Sequence, residues 1–234
     1  MTMVVFDGTC LVADGASTVR DTHMKSLFDE YHKTKIIVPN FEFKDKATGL
    51  AIKALAGTGV VADINDVIEQ ILIIGRAGHD IDLHLVQLQH LLKDRTECQI
   101  VAICTSETDD GTNVIATDLF RTGVYRDECF DWSKQDALTP SIAGVNDDIP
   151  DWKLGEGWDS ALEIVSFGSA LFPGKVGGLL TRYNVFTGVL DHPKHADKEI
   201  LQGMYNKFRK EEIAKVQKRF SNVKNFINNP TNTY

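Results

Sequence analysis

The sequence predicts an α+β protein, and three observations carry that expectation. β-rich runs broken by tight-turn signals fill the N-terminal quarter, two consecutive stretches of helical periodicity follow, and strand-like runs then resume. In chain order, hairpin, strands, two helices, strands and helix are what a four-layer αββα sandwich would produce, here with an added long C-terminal helix.

The first element is a hairpin. Thr2–Phe6 and Thr9–Ala13 are rich in β-branched residues and flank Asp7-Gly8, a strong two-residue turn signal. A polar stretch from Asp14 to Tyr31 leads to a third run, Thr34–Val38. Pro39-Asn40, Phe41–Phe43, a turn around Lys44–Gly49 and the apolar run Leu50–Ala56 complete the opening strands, and Gly57-Thr58-Gly59 breaks the pattern. Beyond that break Val60, Val61, Ile64, Val67, Ile68, Ile71 and Leu72 recur at helical spacing, with Asp63 and Asp66 in the early part. Gly75 and Gly78 punctuate the run, and a second helix is expected over Asp80–Leu92.

Strands are expected at Cys98–Thr105 and Asn113–Ala116 around the turn Asp109-Asp110-Gly111. The stretch 127–159 holds all three tryptophans and many acidic residues, and reads as an irregular insertion or functional loop. Ala161–Phe167 reads as a strand ending at Gly168-Ser169, with a short helix from Gly174 to Tyr183. From Ala196 to Ile227 the positions Ile200, Leu201, Met204, Phe208, Ile213, Val216, Phe220, Val223 and Ile227 mark a long amphipathic helix with a lysine-rich face. The expected organisation is a sandwich domain over 1–190, with the insertion at 127–159, and a helical extension over 191–234.

Composition narrows the function classes. At 43% hydrophobic and 25% charged residues the chain is an ordinary globular protein. A net charge of −8 disfavours general binding to nucleic acid or anionic lipid, although the C-terminal helix carries a local basic stripe. Cys10, Cys98 and Cys104 sit in apolar strand-like runs, as small buried side chains of a reducing compartment do, and Cys129 forms no CxxC pair with them. Met3–Phe6 is too short for a secretory signal and no run reaches about 18 apolar residues, so a cytoplasmic protein with no membrane partner is expected. The glycine sets fit no nucleotide or dinucleotide fingerprint, and His192-Pro193-Lys194-His195 lacks the partners of a metal site, so neither cofactor nor metal is expected.

Thr2-Met3-Val4-Val5, a turn, then Val12-Ala13-Asp14-Gly15 resembles the start of mature proteasome β-subunits and of the bacterial HslV peptidase. Thr34-Lys35-Ile36-Ile37 resembles the strand that supplies that family's lysine. Leu55-Ala56-Gly57-Thr58-Gly59, running through Ala62-Asp63, resembles its Ala-Gly-x-x-x-Asp junction, and Phe167-Gly168-Ser169 its Gly-Ser-Gly turn. The match covers residues 2–75 well and 98–183 loosely, and looks most similar to divergent proteasome-like proteins encoded by phages, which would place the chain in a host cytoplasm.

The resemblance implies a threonine-type N-terminal nucleophile (Ntn) hydrolase that cleaves peptide or amide bonds through an acyl-enzyme, acting as a homo-oligomer on a peptide substrate. Thr2 would be the nucleophile once Met1 is removed, its own α-amine serving as base. Lys35 would lower the proton affinity of that amine and Asp14 would orient the lysine, with Lys33 as the rival on the same strand face. Gly57 would donate its amide to the oxyanion, and Ser169 would complete the hydrogen-bond network of the amine. Each residue also has a plainer role: strand threonine, turn aspartate, solvated lysine, turn glycine, helix-start serine.

Three departures from the family pattern keep a second reading open. The later Arg-Asp-x-x-Ser/Thr-Gly segment is echoed only by Tyr183-Asn184-Val185-Phe186-Thr187-Gly188, the final strand pair gives way to the charged helix, and Ala170 stands where glycine is usual. The alternative is a pseudoenzyme: a proteasome-like binding, inhibitory or structural module that grips a protein partner.

Overall fold

The computed structural model describes residues 3–20, 26–29, 35–45, 48–79, 81–109, 111–123, 141–143, 160–171, 176–207, 210 and 214. The chain divides into two compact units, Met1–His195 and Ala196–Tyr234. In the second unit the described residues 198–207 are helical.

The first unit is mixed α+β. The opening hairpin pairs β1 (Val4–Phe6) with β2 (Cys10–Ala13), Val4 opposite Ala13 and Phe6 opposite Leu11. Asp7 closes it by accepting the amides of Thr9 and Cys10, which is why an aspartate suits the turn. A second small hairpin follows, β3 (Ser17–Arg20) with β4 (Ser26–Asp29), inside the stretch that reads as merely polar in sequence. β5 (Ile36–Ile37) is shorter than the run that announces it.

β6 (Ala51–Gly59) runs through Gly57 and Thr58 rather than breaking there. It ends at Gly59, whose φ of +117° an L side chain rarely adopts and where a Cβ would meet the Glu97 carbonyl at 2.3 Å. Helix α1 (Val61–Ala77) starts two residues on and buries Ile64, Val67, Ile68 and Ile71, one stripe at helical spacing. It stops at Gly78 in the left-handed conformation, with the Gly78 amide on Gly75 O and the His79 amide on Ile74 O, a Schellman closure. Helix α2 (Ile81–Leu92) follows.

β7 (Cys98–Thr108) and β8 (Gly111–Arg121) form a long hairpin, and β9 (Ser141–Ala143) pairs with β1. Helix α3 (Ala161–Leu171) replaces the strand expected over Ala161–Phe167, and β10 (Thr181–Asn184) occupies the end of the expected helix from Gly174 to Tyr183. A short apolar run does not distinguish a buried strand from a buried helix. The deciding signal is local: Ser160-Ala161-Leu162-Glu163 has the sequence of a capping box, and the Ser160 hydroxyl accepts the Glu163 amide at 3.2 Å. The Asp7 carboxylate adds the Ala161 amide at 2.8 Å, fixing the helix start to the first hairpin. Ser160→Ala is therefore expected to cost about 1 kcal/mol, read as a lower midpoint in urea unfolding with unchanged slope; an unaltered midpoint would remove the cap from the reasons α3 forms.

β11 (Leu190–Asp191) pairs back on β10, Arg182 opposite Asp191 with two side-chain hydrogen bonds between them. This pair flanks Tyr183–Gly188 and does not lie beyond it.

The strands form two larger antiparallel sheets. One has the order β11-β10-β2-β1-β9 and the other β5-β6-β7-β8. Val4, Phe6, Leu11, Ala13 and Tyr183 of the first share a buried cluster with Ile36, Ala54, Ala56, Val101, Ile103 and Val114 of the second. The opposite face of β6 and β7 (Leu55, Ile100, Ala102) packs on Ile64, Val67, Ile68 and Ile71 of α1 and on Ile81 and Leu85 of α2. α3 packs on β1 and β2. Cys98 and Cys104 lie in the α1 side of this core, and burial pushes the Cys98 thiol up to about 11 and the Cys104 thiol higher still.

Candidate functional site

At one end of the first hairpin the chain buries an ion pair. Asp14 is the residue after β2, directly across from Met3, and the Met3 amide donates to Asp14 Oδ1 at 2.8 Å while the Asp14 amide donates to Met3 O at 3.1 Å. Lys35 Nζ donates to the same Oδ1 at 3.1 Å and to Ala16 O at 2.5 Å. The second carboxylate oxygen accepts the Gly177 amide at 3.1 Å. Asp14 is 1% exposed and Lys35 7%, so both charges are held away from water. A buried carboxylate is tolerable only when its lone pairs are filled, and here two amides and an ammonium fill them.

Burial pushes the Asp14 carboxyl above its ordinary range, opposed chiefly by the Lys35 charge and then by the Met3 and Gly177 amides. Burial also pulls the Lys35 ammonium below its ordinary value, opposed by Asp14. Each is the main electrostatic counterweight of the other.

Lys35 is the residue preceding β5, which among the described residues is an edge strand of its sheet. Ile36 lies opposite Ala56 and Ile37 opposite Leu55, so the same register carried one residue further sets Lys35 across from Gly57. Gly57 itself lies in β6 opposite Ile100, where a Cβ would meet Ile64 Cγ2 at 2.3 Å. The close approach of α1 therefore favours a glycine there on packing grounds alone.

Ser169 is elsewhere. It sits in α3, not in a turn, and its hydroxyl donates to Val165 O at 3.0 Å. Thr2 and Lys33 lie outside the described residues, although the carbonyl carbon of residue 2 is bonded to the Met3 nitrogen that donates to Asp14.

The segment that reaches Asp14 after a helix is Val176-Gly177-Gly178, not Tyr183–Gly188. Gly177 gives its amide to Asp14, and its carbonyl accepts the Gly15 and Ala16 amides at 3.0 and 2.9 Å. The contacts are made by main chain, so no side-chain motif announces them; the Gly177-Gly178 pair is the only cue. Tyr183–Gly188 instead turns β10 into β11, with Asn184 Oδ1 accepting the Phe186 and Thr187 amides.

His192 and His195 do not converge on a common point: His192 Nδ1 meets Leu180 O and His195 Nε2 meets Gly178 O. Among the described residues no group of three His, Cys, Asp or Glu side chains could hold a metal ion, and no helix is long and apolar enough to cross a membrane. No model of a known protein family matches the chain, and no curated protein matches it in sequence.

Proposed function

We propose that the chain is a threonine N-terminal nucleophile hydrolase on a four-layer αββα sandwich, cleaving peptide or amide bonds through an ester acyl-enzyme at Thr2. The observation that carries the proposal is the sharing of Asp14 Oδ1 between the Met3 amide and the Lys35 ammonium. That sharing ties a buried cation to the peptide unit joining residues 2 and 3. Support for the layered fold comes from helices α1 and α2 on one sheet, α3 on the other, and a common apolar cluster between the sheets.

The chemistry follows from these neighbours. Once Thr2 is the first residue, its α-amine, with an ordinary pKa of about 7.7–8.0, would have its proton affinity lowered by the Lys35 charge held at the neighbouring peptide unit. The neutral amine takes the hydroxyl proton as the oxygen attacks a substrate carbonyl, and the carbonyl electrons move to the oxygen. The Gly57 amide, on the strand beside Lys35, is the proposed donor to that oxyanion. The C–N bond of the substrate then breaks, the leaving amine collects the proton, and water later cleaves the ester. A buried Asp14 fixes the lysine without being consumed.

One observation favours the rival reading, a non-catalytic module. The Ser169 hydroxyl is engaged inside α3, and the segment on Asp14 brings glycine amides rather than hydroxyls.

A β-lactone electrophile separates the two. The expected result is a protein whose intact mass shows Thr2 as first residue and gains one adduct, located on Thr2 by fragmentation and absent in Thr2→Ala. A purified chain that retains Met1, or one with a free Thr2 that stays unlabelled while a folded spectrum is preserved, eliminates the hydrolase reading and leaves the binding module.

A further inference from the structure

We propose that His192 and His195 are positioning residues for the Asp14–Lys35 pair, acting through the segment Gly177–Leu180. The proposal rests on the hydrolase reading only for its consequence in catalysis; the positioning itself concerns the buried pair and can be measured without turnover.

The geometry is a chain of hydrogen bonds in three links. Asp14 Oδ2 is held by the Gly177 amide, and Gly177 O by the Gly15 and Ala16 amides. Two later carbonyls of the same segment are taken by imidazoles: Gly178 O by His195 Nε2 at 3.1 Å and Leu180 O by His192 Nδ1 at 3.2 Å. Both histidines lie on the strap that leaves β11, and β11 is itself locked to β10 by the Arg182–Asp191 pair. The strap therefore holds the same segment that fixes the carboxylate.

Glycine makes that grip necessary. Gly177 and Gly178 have no side chain of their own to pack, and the segment is anchored at its ends by the buried Val176 and Leu180. Between those anchors, hydrogen bonds to the glycine carbonyls supply the restraint. The bonds also set the ring forms: carbonyls only accept, so neutral His192 must carry its proton on Nδ1 and neutral His195 on Nε2.

The sign of the effect follows. When the segment loosens, Asp14 is no longer held in place by the Gly177 amide and can draw back from the 3.1 Å contact with Lys35 Nζ. The attraction that opposes burial falls with distance, so burial pulls the Lys35 proton affinity lower still. In the hydrolase reading, that change alters the proton affinity of the neighbouring amine.

The test follows the 13Cε resonance of Lys35 through a pH titration of the full chain, assigned by its loss in Lys35→Met. His192→Ala and His195→Ala should each lower the Lys35 midpoint by about half a pH unit. His192→Asn and His195→Gln, which keep a donor nitrogen near Nδ1 and Nε2 respectively, should restore it. A purely structural role would not distinguish donor-bearing from donor-free replacements of equal stability. Folded alanine variants with the wild-type midpoint overturn the proposal, as do Asn and Gln variants shifted as far as alanine. Unmodified protein gives an independent reading if an alanine variant does not fold. Long-range 1H–15N spectra should show neutral His192 as the Nδ1–H tautomer, the minor form in water, and an Nε2–H form would overturn the assignment. Absence of any Thr2 adduct leaves these readings untouched, so failure of the hydrolase reading and failure of this one are told apart.

Discussion

Lys35→Met should destabilise the protein by about 3–5 kcal/mol, the cost of leaving a buried carboxylate without its cation. For a chain of this size that corresponds to a fall in Tm on the order of 10 °C. The reasoning starts from burial: Asp14 and Lys35 are 1% and 7% exposed, so water cannot replace the lost partner. Two amides remain on Asp14 after the substitution, and they hold its place without neutralising its charge. The same variant should lower the rate of Thr2 acylation by about 10²- to 10⁴-fold, the range of a positioned acid–base group.

Stability and chemistry can be separated by a second substitution. Asp14→Asn in the Lys35→Met background removes the uncompensated charge, and most of the lost stability should return, although the Asn amide group can accept from only one of the two backbone donors. Acylation should stay low, because the cation beside residue 2 is still missing. Urea unfolding and β-lactone labelling of the three variants read both effects. A double variant as unstable as Lys35→Met would mean that buried charge is not the origin of the loss. Wild-type labelling of a folded double variant would remove Lys35 from the proposed machinery.

Much of the architecture is legible in sequence because local chemistry and long-range packing agree there. Asp7-Gly8 between two β-branched runs specifies the first hairpin, and the buried stripe of α1 together with the left-handed Gly78 specifies a helix and its end. Agreement fails where a segment is buried on most sides. In Ala161–Phe167 only Leu162 and Glu163 are partly exposed and even Ser166 is buried, so little exposed surface is left to set a period. The helix is decided by the cap at Ser160 instead. The hairpin β3–β4 escapes notice for the opposite reason: Ser17–Arg20 and Ser26–Asp29 contain too few apolar residues to mark an inward face.

The site divides in the same way. Asp14 and Lys35 are legible in sequence only through the resemblance of their segments to proteasome-type strands, which implies that the aspartate orients the lysine; the burial of the pair is visible only in the structure. Gly177 and Ala16 are not legible, since they act through main-chain groups that every residue possesses. Ser169 is misplaced in sequence along with its element: a helix in place of a strand turns its hydroxyl toward the preceding turn, a common fate for serine within a helix.

Gly15→Ala is expected to have the second-largest effect, on stability and site together. A Cβ on Gly15 would lie 2.4 Å from Leu179 O and 3.2 Å from Leu179 N, and these are backbone atoms with no rotamer to adjust. Relief requires moving either the chain after Asp14 or the segment carrying Gly177. Either movement stretches the bonds from Gly177 O to the Gly15 and Ala16 amides and from the Gly177 amide to Asp14. Overpacking of this kind costs about 1–3 kcal/mol, and the backbone origin of the clash puts Gly15→Ala at the upper end. Gly57→Ala is the informative comparison. Its closest contact is equally short, 2.3 Å to Ile64 Cγ2, but the obstructing atoms belong to isoleucine side chains that can shift. It should be less destabilising than Gly15→Ala and should leave the Lys35 titration midpoint near wild type, whereas Gly15→Ala should displace it. Equal losses in urea unfolding with an unmoved Lys35 midpoint in both variants would show that Asp14 does not depend on the segment from Gly177 to Leu180 for its position.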